Sequence, residues 1–217
     1  MQPKQKSLLG WILGGIGAFF VCACGVGGFL GWRVFNRLTT PIPAHDGFEN
    51  GIENHPLGDG WYALTLKEMG FSIEAPATLT PYRRTIGRFR QPWISSYESF
   101  HGKSREGAIV IGGLWIDRTR SRHTPRSEAE AGLTQLRENP EYSRVKGEIH
   151  DETLAGIPVV SALYSFHGTS DGEEHALYFF NGDCLIYVLE SYRKEHKSVG
   201  DQMWSRMTSS LKLLPAR

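Results

Sequence analysis

The stretch ALYFFNGDCLIYVLES, residues 176–191, predicts a β-hairpin. Two runs rich in aromatic and β-branched residues flank Asn181-Gly182, and both of these residues tolerate the positive φ that a tight hairpin turn requires. Other short runs of the same kind lie along the chain and are separated by turns that contain glycine. They are residues 61–66, 71–74, 94–100, 108–117, 144–153 and 157–167. Together these runs predict a mainly antiparallel β-sheet.

Two segments change from the strand period to the helical period. Residues 127–130 (SEAE) match a capping box, and an apolar stripe follows them until Asn139-Pro140 ends it. Near the C terminus, Ser198 with Asp201 can cap a second helix, whose inward residues would be Met203, Trp204, Met207 and Leu211. Strands, one helix, more strands and a closing helix predict an α+β domain in which two principal helices cover one face of the sheet.

Residues 8–32 (LLGWILGGIGAFFVCACGVGGFLGW) contain no charged side chain. As a helix they would span about 37 Å, which exceeds the roughly 30 Å of bilayer hydrocarbon. Lys4, Lys6 and the amino terminus precede the stretch, whereas only Arg33 and Arg37 follow it closely, so the positive-inside rule places residues 1–7 in the cytoplasm. The prediction is one transmembrane helix that serves as a signal anchor.

Two other interpretations of this segment stay open. Its basic start, its apolar run and the small residues at 21–23 also fit a cleaved signal peptide. Residues 21–24 (VCAC) resemble a bacterial lipobox, which would make the protein a lipoprotein processed at Cys24. The uncharged residues that follow Cys24 favour the uncleaved anchor, because a mature lipoprotein normally begins with a polar tether. All three interpretations place the rest of the chain outside the cytoplasm.

Glycine pairs and prolines suggest further roles for the N-terminal part. Gly27 and Gly31 have the spacing that lets two membrane helices approach closely, as in a structural subunit of an envelope complex. Glycine is also common in membrane helices without such a partner. Residues 33–60 contain Pro41, Pro43 and Pro56 and lack apolar periodicity, so they predict a flexible linker. The remaining domain would span residues 61–214.

Several motifs of residues 61–214 occur in a characteristic order. They are GFSIEAP (70–76), an amphipathic helix before Pro140, ETLAGIPVVSALYSF (152–166), a hairpin ending in CLIYVLES, and a final helix leading into SSLKLL (209–214). In this order the chain resembles the PsbP-like and DcrB-like bacterial domain. The resemblance implies an extracytoplasmic accessory or binding domain, often tethered to a membrane, and it carries no catalytic residues. A long apolar span in place of a clean lipobox departs from the lipoprotein members.

Charge and motifs exclude several classes of function. The chain has 24 Lys+Arg and 23 Asp+Glu, a net charge of +1, whereas nucleic-acid-binding domains usually carry a basic excess. The sequence contains no Gly-x-Ser-x-Gly, Walker A, dinucleotide-binding or His-Glu-x-x-His motif. A non-enzymatic role is therefore favoured, and no cofactor is predicted. Cys184 lies in an apolar run and is interpreted as a core residue.

His167 and His175 are the candidates for a metal site. They flank residues 168–174 (GTSDGEE), and a hairpin at this point could bring the two imidazoles close to the three carboxylates of the segment. A metal-dependent enzyme is one alternative function on this basis. The spacing matches no established ligand pattern, however, and histidine at the end of a hairpin is ordinary.

Positive charge is concentrated in residues 82–126, which hold ten basic and three acidic side chains. Arg118, Arg120 and Arg122 alternate, so they would share a face if the preceding strand continued through them. Such a stripe suits anionic lipid head groups or an acidic protein partner, but it also suits a solvated edge on which arginines discourage strand addition. The chain is therefore predicted to be a single-pass membrane protein with an extracytoplasmic binding or accessory domain. The alternatives are the metal-dependent enzyme and the purely structural envelope subunit.

Overall fold

A computed structural model describes residues 51–86, 93–168 and 171–214 of the chain. The predicted membrane helix, with Gly27 and Gly31, and residues 33–50 of the predicted linker lie outside these ranges. Inside them, no helix has both the length and the apolar character needed to cross a bilayer.

The described residues form strands, two α-helices and one short 3₁₀ helix. In chain order these are β1 (Ile52–Gly58), β2 (Trp61–Leu66), β3 (Phe71–Ala75), β4 (Thr80–Ile86), β5 (Ile94–Lys103), β6 (Gly107–Ile116), α1 (Pro125–Glu138), β7 (Tyr142–Leu154), β8 (Ile157–Gly168), β9 (Gly172–Asn181), β10 (Cys184–Arg193), the 3₁₀ helix (Lys194–His196), α2 (Lys197–Ser209) and β11 (Lys212–Leu213).

The strands form two antiparallel sheets. The smaller sheet has the order β1-β2-β3-β11, and the larger one has the order β4-β5-β6-β10-β9-β8-β7. The predicted hairpin is confirmed near the middle of the larger sheet, where Cys184 pairs with Asn181 and Gly182 has a φ of 58°. The α+β class with two helices and antiparallel pairing is therefore confirmed.

Both faces of the larger sheet are covered by other elements, whereas the sequence predicts that helices cover only one face. Strand β10 explains the difference, because it is apolar on both sides and a strand of this kind must be buried on both sides. Ile186 and Val188 contact a core shared with the smaller sheet and α2. Tyr187 and Leu189 point the opposite way, into a core beneath α1. The larger sheet is thus the middle layer of the domain.

The prediction of a flexible linker is wrong for residues 52–58, because these residues form strand β1. The turn that joins β1 to β2 consists of Gly58, Asp59 and Gly60, which have φ values of 96°, 52° and 78°. This left-handed turn lets Gly58 pair with Trp61. Pro56 is tolerated inside β1 because the strand lies at the edge of its sheet, where one row of N–H groups has no strand partner.

The helix starts also differ from those predicted. α1 begins earlier, and its N-cap is Thr124, whose side chain accepts from the Ser127 N–H while the Ser127 hydroxyl accepts from the Thr124 N–H. α2 begins at Lys197 after His196, so Ser198 does not cap it. Its predicted inward face is confirmed for the two methionines and for the leucine that follows the helix, because these side chains are buried: Met203, Met207 and Leu211.

Candidate functional site

The structure does not bring His167 and His175 together. His175 on β9 pairs with Leu163 on β8, four residues before His167, so the two positions lie roughly 13 Å apart along the sheet. The His167 Nδ1 atom lies 3.0 Å from a carboxylate oxygen of Asp171 instead. Within residues 51–86, 93–168 and 171–214, no group of three or more His, Cys, Asp or Glu side chains could hold a metal ion.

The predicted arginine stripe is also corrected. β6 ends at Ile116, and Arg118, Arg120 and Arg122 follow in a turn and an irregular segment rather than in the strand. The Arg118 guanidinium lies 4.4 Å from the centre of the Phe180 ring, which is a cation–π contact. All three arginines are exposed, but alternate positions share a face only in an extended strand. They therefore do not form one regular stripe.

A cluster of five polar side chains fastens α2 to the ends of β9 and β10. We call it the α2 polar cluster, and its members are Glu173, His175, Tyr192, Lys197 and Asp201. The Tyr192 hydroxyl oxygen lies at its centre, 3.0 Å from the Asp201 carboxylate, 3.0 Å from the His175 Nε2 atom and 3.2 Å from the Glu173 carboxylate. The Lys197 ammonium donates to Glu173 at 2.6 Å and to Asp201 at 3.4 Å.

One cation of the α2 polar cluster, Lys197, lies between two carboxylates, Glu173 and Asp201. Burial lowers the pKa of His175, although the bond to Asp201 opposes this, so the imidazole is neutral at pH 7. Burial acts to raise the pKa of Asp201, but hydrogen bonds to His175 and Tyr192 and the nearby Lys197 lower it below its usual value. The bond to Glu173 raises the pKa of Lys197. Lys197 thus bridges the two carboxylates, and the hydrogen bonds of the cluster join α2 to the larger sheet.

A buried carboxylate lies beside this cluster. Glu190 on β10 is 0% exposed and pairs in register with His175. Among the described residues neither of its carboxylate oxygens has a hydrogen-bond partner. Burial, with a further contribution from the negative charge of Asp201, raises the pKa of Glu190 to about 8, so the side chain is protonated at neutral pH. The sequence indicates this residue only as a lone carboxylate directly after the apolar run 184–189.

A cleft of about 330 Å³ opens where the turn between β5 and β6 meets the end of β10 and the 3₁₀ helix. We call it the β5–β6 cleft. Its volume lies at the lower end of the range that is typical of small-molecule sites. Its lining includes a histidine and four charged side chains: His196, Lys103, Arg105, Glu106 and Arg193.

The β5–β6 turn is held tightly against β10. The Ser104 N–H donates to the Gly107 carbonyl at 3.0 Å, and the Gly107 N–H donates to the Ser104 hydroxyl at 3.0 Å. A side chain at Gly107 could not be accommodated, because its Cβ would lie 2.4 Å from the Ser191 carbonyl oxygen. This close approach forms one wall of the cleft. Tyr192 lines the cleft as well and connects it to the α2 polar cluster.

No family model matches the chain, and no curated protein matches it. Solved structures do show similarity. The solution structure of cyanobacterial PsbP from Synechocystis is 12% identical, with a TM-score of 0.43, over 80% of this chain and 99% of that one. The crystal structure of PA94, a protein of unknown function from Pseudomonas aeruginosa, is 10% identical, with a TM-score of 0.41, over 76% of this chain and 99% of that one.

A third similar structure is LpqN, a protein involved in cell envelope biogenesis of Mycobacterium tuberculosis. It is 10% identical, with a TM-score of 0.39, over 80% of this chain and 90% of that one. A PsbP structure is thus among the solved structures to which this chain is similar. At these identities the likeness is one of fold.

Proposed function

We propose that this protein is a membrane-anchored extracytoplasmic binding domain and that the β5–β6 cleft is its ligand site. One observation carries the proposal. The polar groups of the α2 polar cluster are bonded to one another, whereas the charged side chains of the cleft surround an open volume of about 330 Å³. An open volume with a few converging charged groups is the usual form of a ligand site.

The location outside the cytoplasm is supported by the sequence. Residues 8–32 are long and apolar enough to anchor the chain, and the positive charges on their N-terminal side favour export of the C-terminal part. Only residues 33–50 separate this predicted anchor from the first described residue, Gly51. A coil of that length has an average end-to-end distance of roughly 20 to 25 Å, so the domain would stay close to the bilayer.

A binding role fits the chemistry of the domain better than an enzymatic role. His175, Tyr192 and Asp201 are residue types that many enzymes use, but a general base must reach a proton on the substrate. Here the Asp201 oxygen and the His175 Nε2 atom lie 3.2 Å apart, and both face the Tyr192 hydroxyl. Their hydrogen-bonding capacity is largely used inside the cluster.

Thermal unfolding of the full chain in an uncharged detergent tests the proposal. The panel contains inorganic phosphate, glycerol phosphate, citrate, divalent metal ions and hydrophobic small molecules. A ligand at 100 times its dissociation constant stabilises the fold by about 2.7 kcal/mol, which raises the midpoint by roughly 5 to 10 °C for a domain of this size. We expect at least one ligand to do so, and we expect Arg105→Gln to weaken the effect. A panel without any shift would contradict a ligand site in the cleft.

A further inference from the structure

We propose that the β5–β6 cleft binds a phosphate group, carried either by a soluble molecule or by an anionic lipid. This inference rests on the proposed role of the cleft as a ligand site and names the class of its ligand. It follows from the charge of the cleft, from the type of its cationic groups and from its place in the chain.

The charge of the cleft favours an anion. Lys103, Arg105 and Arg193 contribute three permanent positive charges to its lining, against the single negative charge of Glu106. Glu195, which lies 3.6 Å from Arg193 and 3.8 Å from His196, lowers this excess to a single positive charge, which still favours an anion over a cation. His196 also lines the cleft and can add a donor.

The type of cation favours an oxyanion such as phosphate. The cleft contains two guanidinium groups, and a guanidinium presents a planar set of donors that bind phosphate or carboxylate through two parallel hydrogen bonds. Arg105 is exposed, and within the described part of the chain no ion pair or hydrogen bond involves its side chain. The Arg193 guanidinium lies 3.6 Å from Glu195, but both side chains are about 65% exposed. An exposed pair of this kind contributes little, so Arg193 can turn to a ligand at small cost.

The place of the cleft in the chain makes a membrane source accessible. A side chain at Gly51, the first described residue, would lie 3.1 Å from the Phe100 ring. Phe100 precedes Lys103 by three residues in β5, which is roughly 10 Å along the strand. Glu98 also lies beside Gly51 and precedes Lys103 by five residues, so the chain enters the domain beside β5, roughly 10 to 17 Å along that strand from the cleft. Only residues 33–50 separate this point from the predicted anchor. A cleft so placed could reach the head groups of the bilayer.

The test uses the full chain in an uncharged detergent and four probes. These are inorganic phosphate, glycerol phosphate, short-chain phosphatidylglycerol and, as the zwitterionic match, short-chain phosphatidylcholine. Calorimetric titration gives each dissociation constant, and thermal unfolding checks that every variant folds.

Two double variants remove the same charge from different places. Arg105→Gln with Arg193→Gln alters the cleft. Arg120→Gln with Arg122→Gln is the matched control, because these residues follow the far end of β6, roughly 30 Å from the Gly107 end that borders the cleft. We expect the cleft variant to lose at least tenfold in affinity for the phosphate-bearing probe and the control variant to bind like the wild type.

The outcomes separate the two sources and the two proposals. Binding of glycerol phosphate that depends on the cleft arginines supports a soluble ligand. Binding of phosphatidylglycerol alone, with the same dependence, supports a lipid head group. Equal losses in both variants would overturn the inference, since they would reflect net charge only. Cleft-dependent binding of citrate without binding of any phosphate probe would also overturn it while leaving the proposed function intact. Failure of every ligand and probe would overturn both.

Discussion

The buried carboxylate of Glu190 predicts that the domain loses stability as pH rises through the neutral range. In the folded chain its pKa is about 8, against an ordinary value of 4.5 in the unfolded chain. Below pH 4.5 the acid is protonated in both states and has no effect. Between these two values the unfolded state releases the proton and the folded state keeps it, so stability falls with rising pH until about pH 8. From pH 5 to pH 7.5 the loss amounts to about 3 kcal/mol.

Glu190→Gln tests this reasoning because the amide has nearly the shape of the protonated acid and cannot ionise. Urea unfolding of the full chain in an uncharged detergent, followed by far-ultraviolet circular dichroism, gives the free energy of unfolding at pH 5 and pH 7.5. We expect the variant to gain about 3 kcal/mol relative to the wild type between these two values. Glu174, whose pKa is raised to about 7 by burial, affects both proteins alike and cancels in the comparison.

Glu148→Gln serves as the matched control, because the Glu148 side chain is 77% exposed. We expect its stability to follow the wild type at both pH values. Parallel curves for the wild type and Glu190→Gln would refute the reasoning, since they would mean that Glu190 is already ionised in the folded state. Should the amide prevent folding, Glu190→Met provides a second side chain of similar length that cannot ionise.

Three further predictions concern the helix cap, the core and the membrane segment. Thr124→Ala removes the side chain that accepts from the Ser127 N–H, and urea unfolding should show a loss of about 1 kcal/mol. Gly112→Ala places a Cβ 2.2 Å from the Tyr187 ring and hydroxyl, and the same assay should show a loss of roughly 1 to 3 kcal/mol; an unchanged midpoint would contradict the packing described for β6 and β10. A bacterial alkaline phosphatase fused after residue 217 should be active, and deletion of residues 8–32 should release the fusion from the membrane fraction.

Local signals in the sequence suffice for most of the larger sheet. The Asn181-Gly182 turn and its flanking apolar runs define a hairpin within a few residues, so β9 and β10 could be predicted. β1 and β4 could not be predicted in this way. β1 contains Pro56 and mostly polar residues, and β4 (TPYRRTI) contains a proline and two arginines. Both are edge strands, whose pairing depends on a neighbour rather than on their own composition.

The candidate site depends on contacts between distant parts of the chain, so the sequence could not show it. The β5–β6 turn reaches the end of β10 because Gly107 pairs with Tyr192, 85 residues further on. The prediction that His167 and His175 come close is wrong for a related reason. In a hairpin, residues pair symmetrically about the turn, so the partner of His175 is Leu163, while His167 faces Asp171. The sequence shows that both histidines are close to the turn but not that the register separates them.

Hydrogen–deuterium exchange of the full chain tests the claim that the β5–β6 cleft is the ligand site. The protein is labelled in an uncharged detergent with and without glycerol phosphate, and in parallel with and without short-chain phosphatidylglycerol. We expect slower exchange of the amides in residues 104–107 and 191–196, which border the cleft, and unchanged exchange in residues 117–122. Protection of residues 117–122 with no change at the cleft would contradict the account, and so would unchanged exchange throughout while calorimetry shows binding.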